Sequence, residues 1–199
     1  GVPELKACRY AIIPDRTEAG TYMVGAAISG GDVQVENVIP THLHPIVAKL
    51  QETGAIVEET DQGVRVRAGR QVLPVDIKTL PYPGFPTDMQ SQMMALLSLA
   101  EGSSVIVENV FENRFQIVDE LKRMGASIQV EGHTAVVRGV KTLFGARVKA
   151  TDLRAGAGLI LGALAARGET TIENAIHIFR GYENIEEKLS QLGARVKTK

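Results

Sequence analysis

Apolar and polar positions along this chain fall into one arrangement that occurs three times. Long apolar runs follow Pro14-Asp15-Arg16, Pro86-Thr87-Asp88 and Thr151-Asp152-Leu153, and close on Gly30-Gly31, Glu101-Gly102 and Arg167-Gly168. The second run, 88–100, carries Met89, Met93, Met94, Leu96, Leu97 and Leu99; the third, 154–166, is almost all Ala, Gly, Leu and Ile. Runs of that length, apolar nearly all round, predict helices buried nearly all round. An Asp at or near each start predicts an N-cap, because its carboxylate accepts free N–H groups of the first turn. Gly156, Gly158, Gly162 and Ala163 leave room for helix backbones to approach closely. Each such glycine costs about 1 kcal/mol of helix propensity against Ala, so packing must favour it.

Shorter patterns frame each run. Residues 9–13, 75–79 and 146–150 read as extended segments before it. Residues 33–37, 105–109 and 171–174, each ending in Glu-Asn, read as strands after it. A second, amphipathic helix follows, with Ile46, Val47 and Leu50, then Ile117, Val118 and Leu121, then Ile185, Leu189 and Leu192 as its stripe. Gly54, Gly125 and Gly193 precede an Ala each time and predict left-handed helix stops. Hairpins at 56–59 with 64–67 and 127–130 with 135–138 complete the first two units. The third unit ends at 195–199, so its partner strand is expected from outside the chain. The fold class is therefore α/β: three β-α-β-α-β-β units, at about 1–70, 71–140 and 141–199, around three buried helices, the third unit incomplete. A unit of about 70 residues has a thin core alone, so the three share one domain.

Bulk properties narrow the function classes. Of 199 residues, 44% are hydrophobic and 23% charged, and the net charge of −1 gives no general pull toward nucleic acid or an anionic membrane. The longest nearly uncharged run, 155–166, is too short for a bilayer that needs about 20 residues. The single cysteine, Cys8, excludes an internal disulfide and fits a reducing, cytoplasmic setting. The chain opens at Gly1 with no signal-peptide pattern and reads as a fragment or a processed form. There is no P-loop and no dinucleotide fingerprint. His42 and His44 lack enough neighbours for a metal site, so neither metal nor cofactor is expected. His133 falls in a hairpin turn, and His177 lies near Arg180.

The candidate chemistry gathers at the starts of the three apolar helices. Three positive helix ends on one surface attract anions. Pro81 to Asp88 is a proline-rich approach that fixes one carboxylate, as a general base requires. Asn113-Arg114 follows the strand at 105–109. Arg154 lies in the first turn of the third helix, and Arg180 opens the last amphipathic one. Cations at helix starts oppose the dipole, so their reason lies elsewhere: an anion site of phosphate or carboxylate type, or surface ion pairs such as Arg180 with Glu183. For Asp15 and Asp152, capping alone is a sufficient explanation.

Several of these motifs occur together in a known family. Pro14 to Thr21, Tyr82 to Gln90, Phe111 to Phe115, Thr151 to Arg154 and Arg180 to Glu183 resemble the UDP-N-acetylglucosamine 1-carboxyvinyltransferases, the enolpyruvyl transferases that open peptidoglycan synthesis. The resemblance covers essentially the whole chain. It implies an inverse α/β prism corresponding to the C-terminal half of a two-prism enzyme, with the N-terminal prism as missing partner. It implies phosphoenolpyruvate and UDP-N-acetylglucosamine as substrates, with Asp88 and Arg180 catalytic. Asp88 would take the sugar 3′-hydroxyl proton, Arg154 and Arg180 would grip phosphoenolpyruvate, Arg114 would line the site, and Val110 would contact the sugar nucleotide through its backbone. Phe179 departs from the acidic residue expected before Arg180, and the family's mobile loop belongs to the other prism. The isolated chain is therefore expected to be inactive. Two alternatives stay open: the sister enzyme acting on shikimate 3-phosphate, and a non-catalytic sugar-nucleotide-binding module.

Overall fold

The computed structural model of the chain describes residues 1–198. The first unit runs α1 (Arg16–Ser29), β1 (Asp32–Glu36), α2 (Pro40–Glu52), β2 (Ile56–Thr60), β3 (Gly63–Arg67). The second runs β4 (Ile77–Lys78), a 3-10 turn (Thr87–Met89), α3 (Gln90–Leu97), β5 (Ser103–Val107), α4 (Ile117–Arg123), β6 (Ser127–Glu131), β7 (Thr134–Arg138). The third runs β8 (Arg147–Lys149), α5 (Leu153–Ala165), β9 (Thr171–Glu173), α6 (Ile176–Phe179), α7 (Ile185–Gln191). Three sheets result, in the orders β1-β3-β2, β4-β5-β7-β6 and β8-β9. The hairpins β2–β3 and β6–β7 are antiparallel, with Val57 opposite Val66 and Ile128 opposite Val137, and β1 and β5 add antiparallel to β3 and β7. First strands pair parallel to second strands, Ile77 with Ile106 and Val148 with Ile172.

The three apolar helices α1, α3 and α5 form the centre. Met23, Val24, Met93, Met94, Leu96, Leu97, Leu159 and Leu161 are buried in one continuous core. Each fully buried side chain of this size stabilises by roughly 1.5–3 kcal/mol, which outweighs the modest helix propensity of the glycine-rich α5. A Cβ built on Gly158 would lie 2.8 Å from the carbonyl oxygen of Ser91, so α5 and α3 meet backbone to backbone there. Gly156 faces the Ile178 side chain instead, and Gly162 has ordinary clearance. Gly54, Gly125 and Gly193 all have φ above +90°, as helix stops require.

Three expectations need correction. Residues 9–13 form no strand: Tyr10, Ile12 and Ile13 are exposed, and the outer edge of β1 is unpaired among the described residues. In unit two the first segment is fastened, since Asp76 accepts the Val105 N–H at 2.8 Å and Ser104 accepts the Val75 N–H at 2.9 Å. In unit three Arg147 bonds Glu173 across the pair. Residues 9–13 have no such tie. Leu192 is exposed beyond the end of α7 rather than part of its buried stripe. Residues 195–198 form no strand, so sheet three has two strands only, and Lys199 lies outside the described residues.

Candidate active site

The three helix starts are built differently, and the difference marks the site. Asp15 accepts the Thr17 N–H at 2.7 Å, and Asp152 accepts those of Arg154 and Ala155 at 2.7 and 3.0 Å. Both are caps. Asp88 caps nothing. It stands inside the 3-10 turn before α3, and Pro86 occupies the cap position. The approach to it is closed by hydrogen bonds from the Leu80 N–H to the Phe85 carbonyl and from the Gly84 N–H to the Pro81 carbonyl. The buried Phe85 ring anchors this loop to the core.

The Asp88 carboxylate is held by two guanidinium groups. Arg114 Nη2 donates to Oδ1 at 3.0 Å and Arg154 Nη2 donates to Oδ2 at 2.9 Å. Arg114 Nη1 also lies 3.9 Å from the Asp152 carboxylate, so the starts of α3 and α5 share one charge cluster. The Asp88 side chain is 39% exposed while those of Arg114 and Arg154 are largely buried. The cluster therefore opens to solvent at the carboxylate. Arg114 lies over the Phe111 ring at 4.2 Å, which adds cation–π attraction and fixes its plane.

Behind the cluster sits Tyr182, 1% exposed. Its hydroxyl is 2.9 Å from Thr21 Oγ1 on α1 and accepts from Gln92 Nε2 on α3 at 3.3 Å. Burial pushes the Tyr182 phenol up from its ordinary value, with Thr21 and the Arg154 guanidinium opposing. Burial works against charge on Arg154, yet Asp88 and Tyr182 outweigh it, so its pKa is raised and the cation is secure. Residues from α1, α3 and α5 thus converge at one end of the prism.

A family model described as EPSP synthase (3-phosphoshikimate 1-carboxyvinyltransferase) matches residues 1–189. A Desulfofundulus thermocisternus protein named UDP-N-acetylglucosamine 1-carboxyvinyltransferase is 64% identical over 98% of this chain and 81% of its own length. The chain belongs to the enolpyruvyl transferase family. UDP-N-acetylglucosamine 1-carboxyvinyltransferase 1 of Caldanaerobacter subterraneus is 57% identical over 98% of this chain. The chain spans 47% of that relative, about half its length. Among solved structures, the enolpyruvyl transferase NikO from Streptomyces tendae superposes with a TM-score of 0.84 at 30% identity, over 94% of this chain and 44% of NikO. EPSP synthase from Acinetobacter baumannii shares the fold, with a TM-score of 0.72 at 21% identity over 88% of this chain and 44% of its own. These relatives agree with the inverse α/β prism.

In this enolpyruvyl transferase chain, Asp88, Arg114 and Arg154 come together as the sequence suggested. Arg180 is placed differently. It follows α6 as its C-cap, where the helix dipole favours a cation, rather than opening α7. An extra turn at 176–179 causes this, and Asn184, in the left-handed region, starts α7. Arg180 is exposed, makes no ion pair with Glu183 or any other described residue, and lines an open pocket with Glu18, Phe179 and Tyr182. Tyr182 belongs to both the pocket and the cluster. Val110 is exposed, with its N–H donated to Glu108. The His42 ring meets the Tyr82 ring edge-on, and His44 Nε2 lies 3.8 Å from the Glu59 carboxylate. No cluster of three or more potential metal ligands occurs among the described residues.

Sequence reasoning missed Gln92, and quoted Thr21, Thr87 and Glu108 only as members of motifs or of the repeat. Tyr182 was noticed only as part of a motif. Hydroxyls and amides on apolar helices carry no periodic signal. The one available hint was that Glu108 repeats Glu36 and Glu173, although only Glu108 is fully buried.

Proposed function

We propose that this chain is one half of an enolpyruvyl transferase that moves the enolpyruvyl group of phosphoenolpyruvate to the 3′-hydroxyl of UDP-N-acetylglucosamine, releasing phosphate, in peptidoglycan synthesis. The observation that carries this reading is Asp88: a carboxylate spared from capping, open to solvent, and gripped by two arginines. The transfer forms a bond from the sugar oxygen to the enolpyruvyl carbon and breaks that carbon's bond to phosphate. The hydroxyl proton must leave, and Asp88 receives it, because each carboxylate oxygen keeps a further lone pair for a substrate donor. Arg154 and Arg180, which has no ion pair among the described residues, bind the phosphate and carboxylate of phosphoenolpyruvate. Arg114 holds Asp88 in place. The Val110 N–H is already engaged, so its contact with the sugar nucleotide falls to its carbonyl.

The names of the relatives at 53–64% identity support the nucleotide sugar as acceptor. The description of the family model favours shikimate 3-phosphate as a second reading, but the EPSP synthase structures are only 18–21% identical. Asp88, Arg154 and Arg180 are all kept, which weighs against a non-catalytic module. The remaining half of the enzyme is a second, N-terminal prism, and the site works across the cleft between the two. Cys8 is free and exposed, in keeping with a cytoplasmic protein, and no described helix is long and apolar enough to cross a membrane.

The test is phosphate release from phosphoenolpyruvate. The chain alone should release none. Joined to the remaining half of the Caldanaerobacter relative, it should release phosphate with UDP-N-acetylglucosamine and not with shikimate 3-phosphate. Turnover by the isolated chain, or a preference for shikimate 3-phosphate, would refute the reading.

A further inference from the structure

Glu108 is a carboxylate buried to 1% exposure directly after β5, with no ion pair among the described residues. Isolation of that kind is costly unless donors replace water. Four do. Thr79 Oγ1 donates to Oε1 at 2.7 Å, the N–H groups of Val110 and Phe111 donate to Oε1 at 2.9 Å each, and Thr87 Oγ1 donates to Oε2 at 3.0 Å. The same position in the other two repeats is used otherwise: Glu36 is exposed and Glu173 bonds Arg147.

The arrangement has a fixed direction. A threonine hydroxyl has one proton to give. Thr87, having given its proton to Glu108, offers only lone pairs to its other neighbour, and Arg114 Nε donates to it at 3.2 Å. Arg114 then reaches Asp88 through Nη2. The chain Glu108–Thr87–Arg114–Asp88 therefore runs from a buried acceptor to the exposed carboxylate. The same Glu108 holds the turn that presents Val110 and Phe111, and Phe111 stacks on Arg114. One side chain sets three parts of the cluster.

We propose that Glu108 is a positioning residue for this site: it orients the Thr87 hydroxyl, and through it the Arg114 guanidinium that holds Asp88. The link to substrate rests on the function proposed above; the relay itself does not. Replacing the carboxylate by an amide puts a donor among donors, whereas Thr87→Val removes one link and leaves the other three bonds to Glu108 in place.

Two readouts separate the claims, the first on the 199-residue chain and the second on the chain joined to the remaining half of the Caldanaerobacter relative, because the proposed site works across both halves. One is the Arg114 Nε–H resonance in ¹H–¹⁵N spectra, identified by its disappearance in Arg114→Lys. The other is the affinity for UDP-N-acetylglucosamine. In the wild type the resonance should exchange slowly with solvent. It should shift and lose protection in both Glu108→Gln and Thr87→Val, and Thr87→Ser should restore it. Affinity should fall about tenfold in the first two variants, the scale of one lost charge-assisted hydrogen bond, and recover in the third. Should Glu108→Gln fail to fold, Thr87→Val carries the test. An unchanged Arg114 resonance in Thr87→Val, or Thr87→Ser behaving like Thr87→Val, overturns the relay. If the wild type binds no UDP-N-acetylglucosamine, the substrate reading fails, and the resonance alone decides the relay.

Discussion

Thr21 and Tyr182 lie 161 residues apart and share a hydrogen bond of 2.9 Å with both side chains buried. The bond ties α1 to the last unit, and Gln92 of α3 donates to both hydroxyls, at 3.1 and 3.3 Å. In Tyr182→Phe the Thr21 hydroxyl still donates to the Thr17 carbonyl and accepts from Gln92, so the loss is of the tyrosine's own hydrogen bonds and should cost about 0.5–1.5 kcal/mol of unfolding free energy in urea titration. A cost near zero would show that the Tyr182 hydroxyl adds nothing to the hold between α1 and the last unit.

Tyr22 predicts the opposite sign. Its hydroxyl is buried with no hydrogen-bond partner among the described residues. Tyr22→Phe removes an orphan polar atom and should leave stability unchanged or raise it by about 1 kcal/mol in the same titration. Burial, the Glu18 carboxylate and Tyr182 push the Tyr22 phenol well above its ordinary value.

That upward shift gives a pH dependence. The folded chain holds the Tyr22 and Tyr182 protons more tightly than the unfolded chain does, and the stability this contributes is fully present below the unfolded tyrosine value of about 10. It is lost as pH rises above that value toward the folded ones. Unfolding midpoints measured from pH 8 to 11.5 should fall steeply beyond about 10, and less steeply in Tyr22→Phe. An identical slope in the variant would contradict the burial argument.

Gly158 tests the helix contact. Alanine there gains about 1 kcal/mol of helix propensity. Its Cβ, however, meets the Ser91 carbonyl oxygen at 2.8 Å and Ile117 Cδ1 at 2.6 Å. Overpacking of this kind costs about 1–3 kcal/mol, so Gly158→Ala should lower the thermal midpoint despite the better propensity. Gly162→Ala, with its nearest neighbour at 3.5 Å, should be neutral or stabilising.

The repeat, the buried helices, the hairpins and the glycine stops were legible in the sequence because each rests on periodicity or on a backbone requirement. The members of the Asp88–Arg114–Arg154 cluster were legible by different routes: Asp88 by its proline-rich approach, Arg154 as a cation at a helix start, and Arg114, in its role, only through the family resemblance. The construction of the cluster was not. Capping sufficed for Asp15 and Asp152 in the sequence and Asp88 stood apart by its proline-rich approach, but that Asp88 caps nothing and is gripped by two arginines appears only in the coordinates. Glu108 was hidden by its own repeat, which made it read as a strand-end marker. Residues 9–13 were read as extended from their place in the repeat, but the cross-strand ties of Asp76 and Ser104 have no equivalent there among the described residues. Arg180 was misplaced by one extra helical turn, too short to show a period.

The most direct measurement is calorimetric titration of the chain joined to the remaining half of the Caldanaerobacter relative, and of its Asp88→Asn variant, with UDP-N-acetylglucosamine and with shikimate 3-phosphate. The wild type should bind the nucleotide sugar in preference, and Asp88→Asn should weaken that binding by about tenfold or more, as loss of a charged acceptor does. Equal affinity of the two proteins for UDP-N-acetylglucosamine, or stronger binding of shikimate 3-phosphate, would contradict the account.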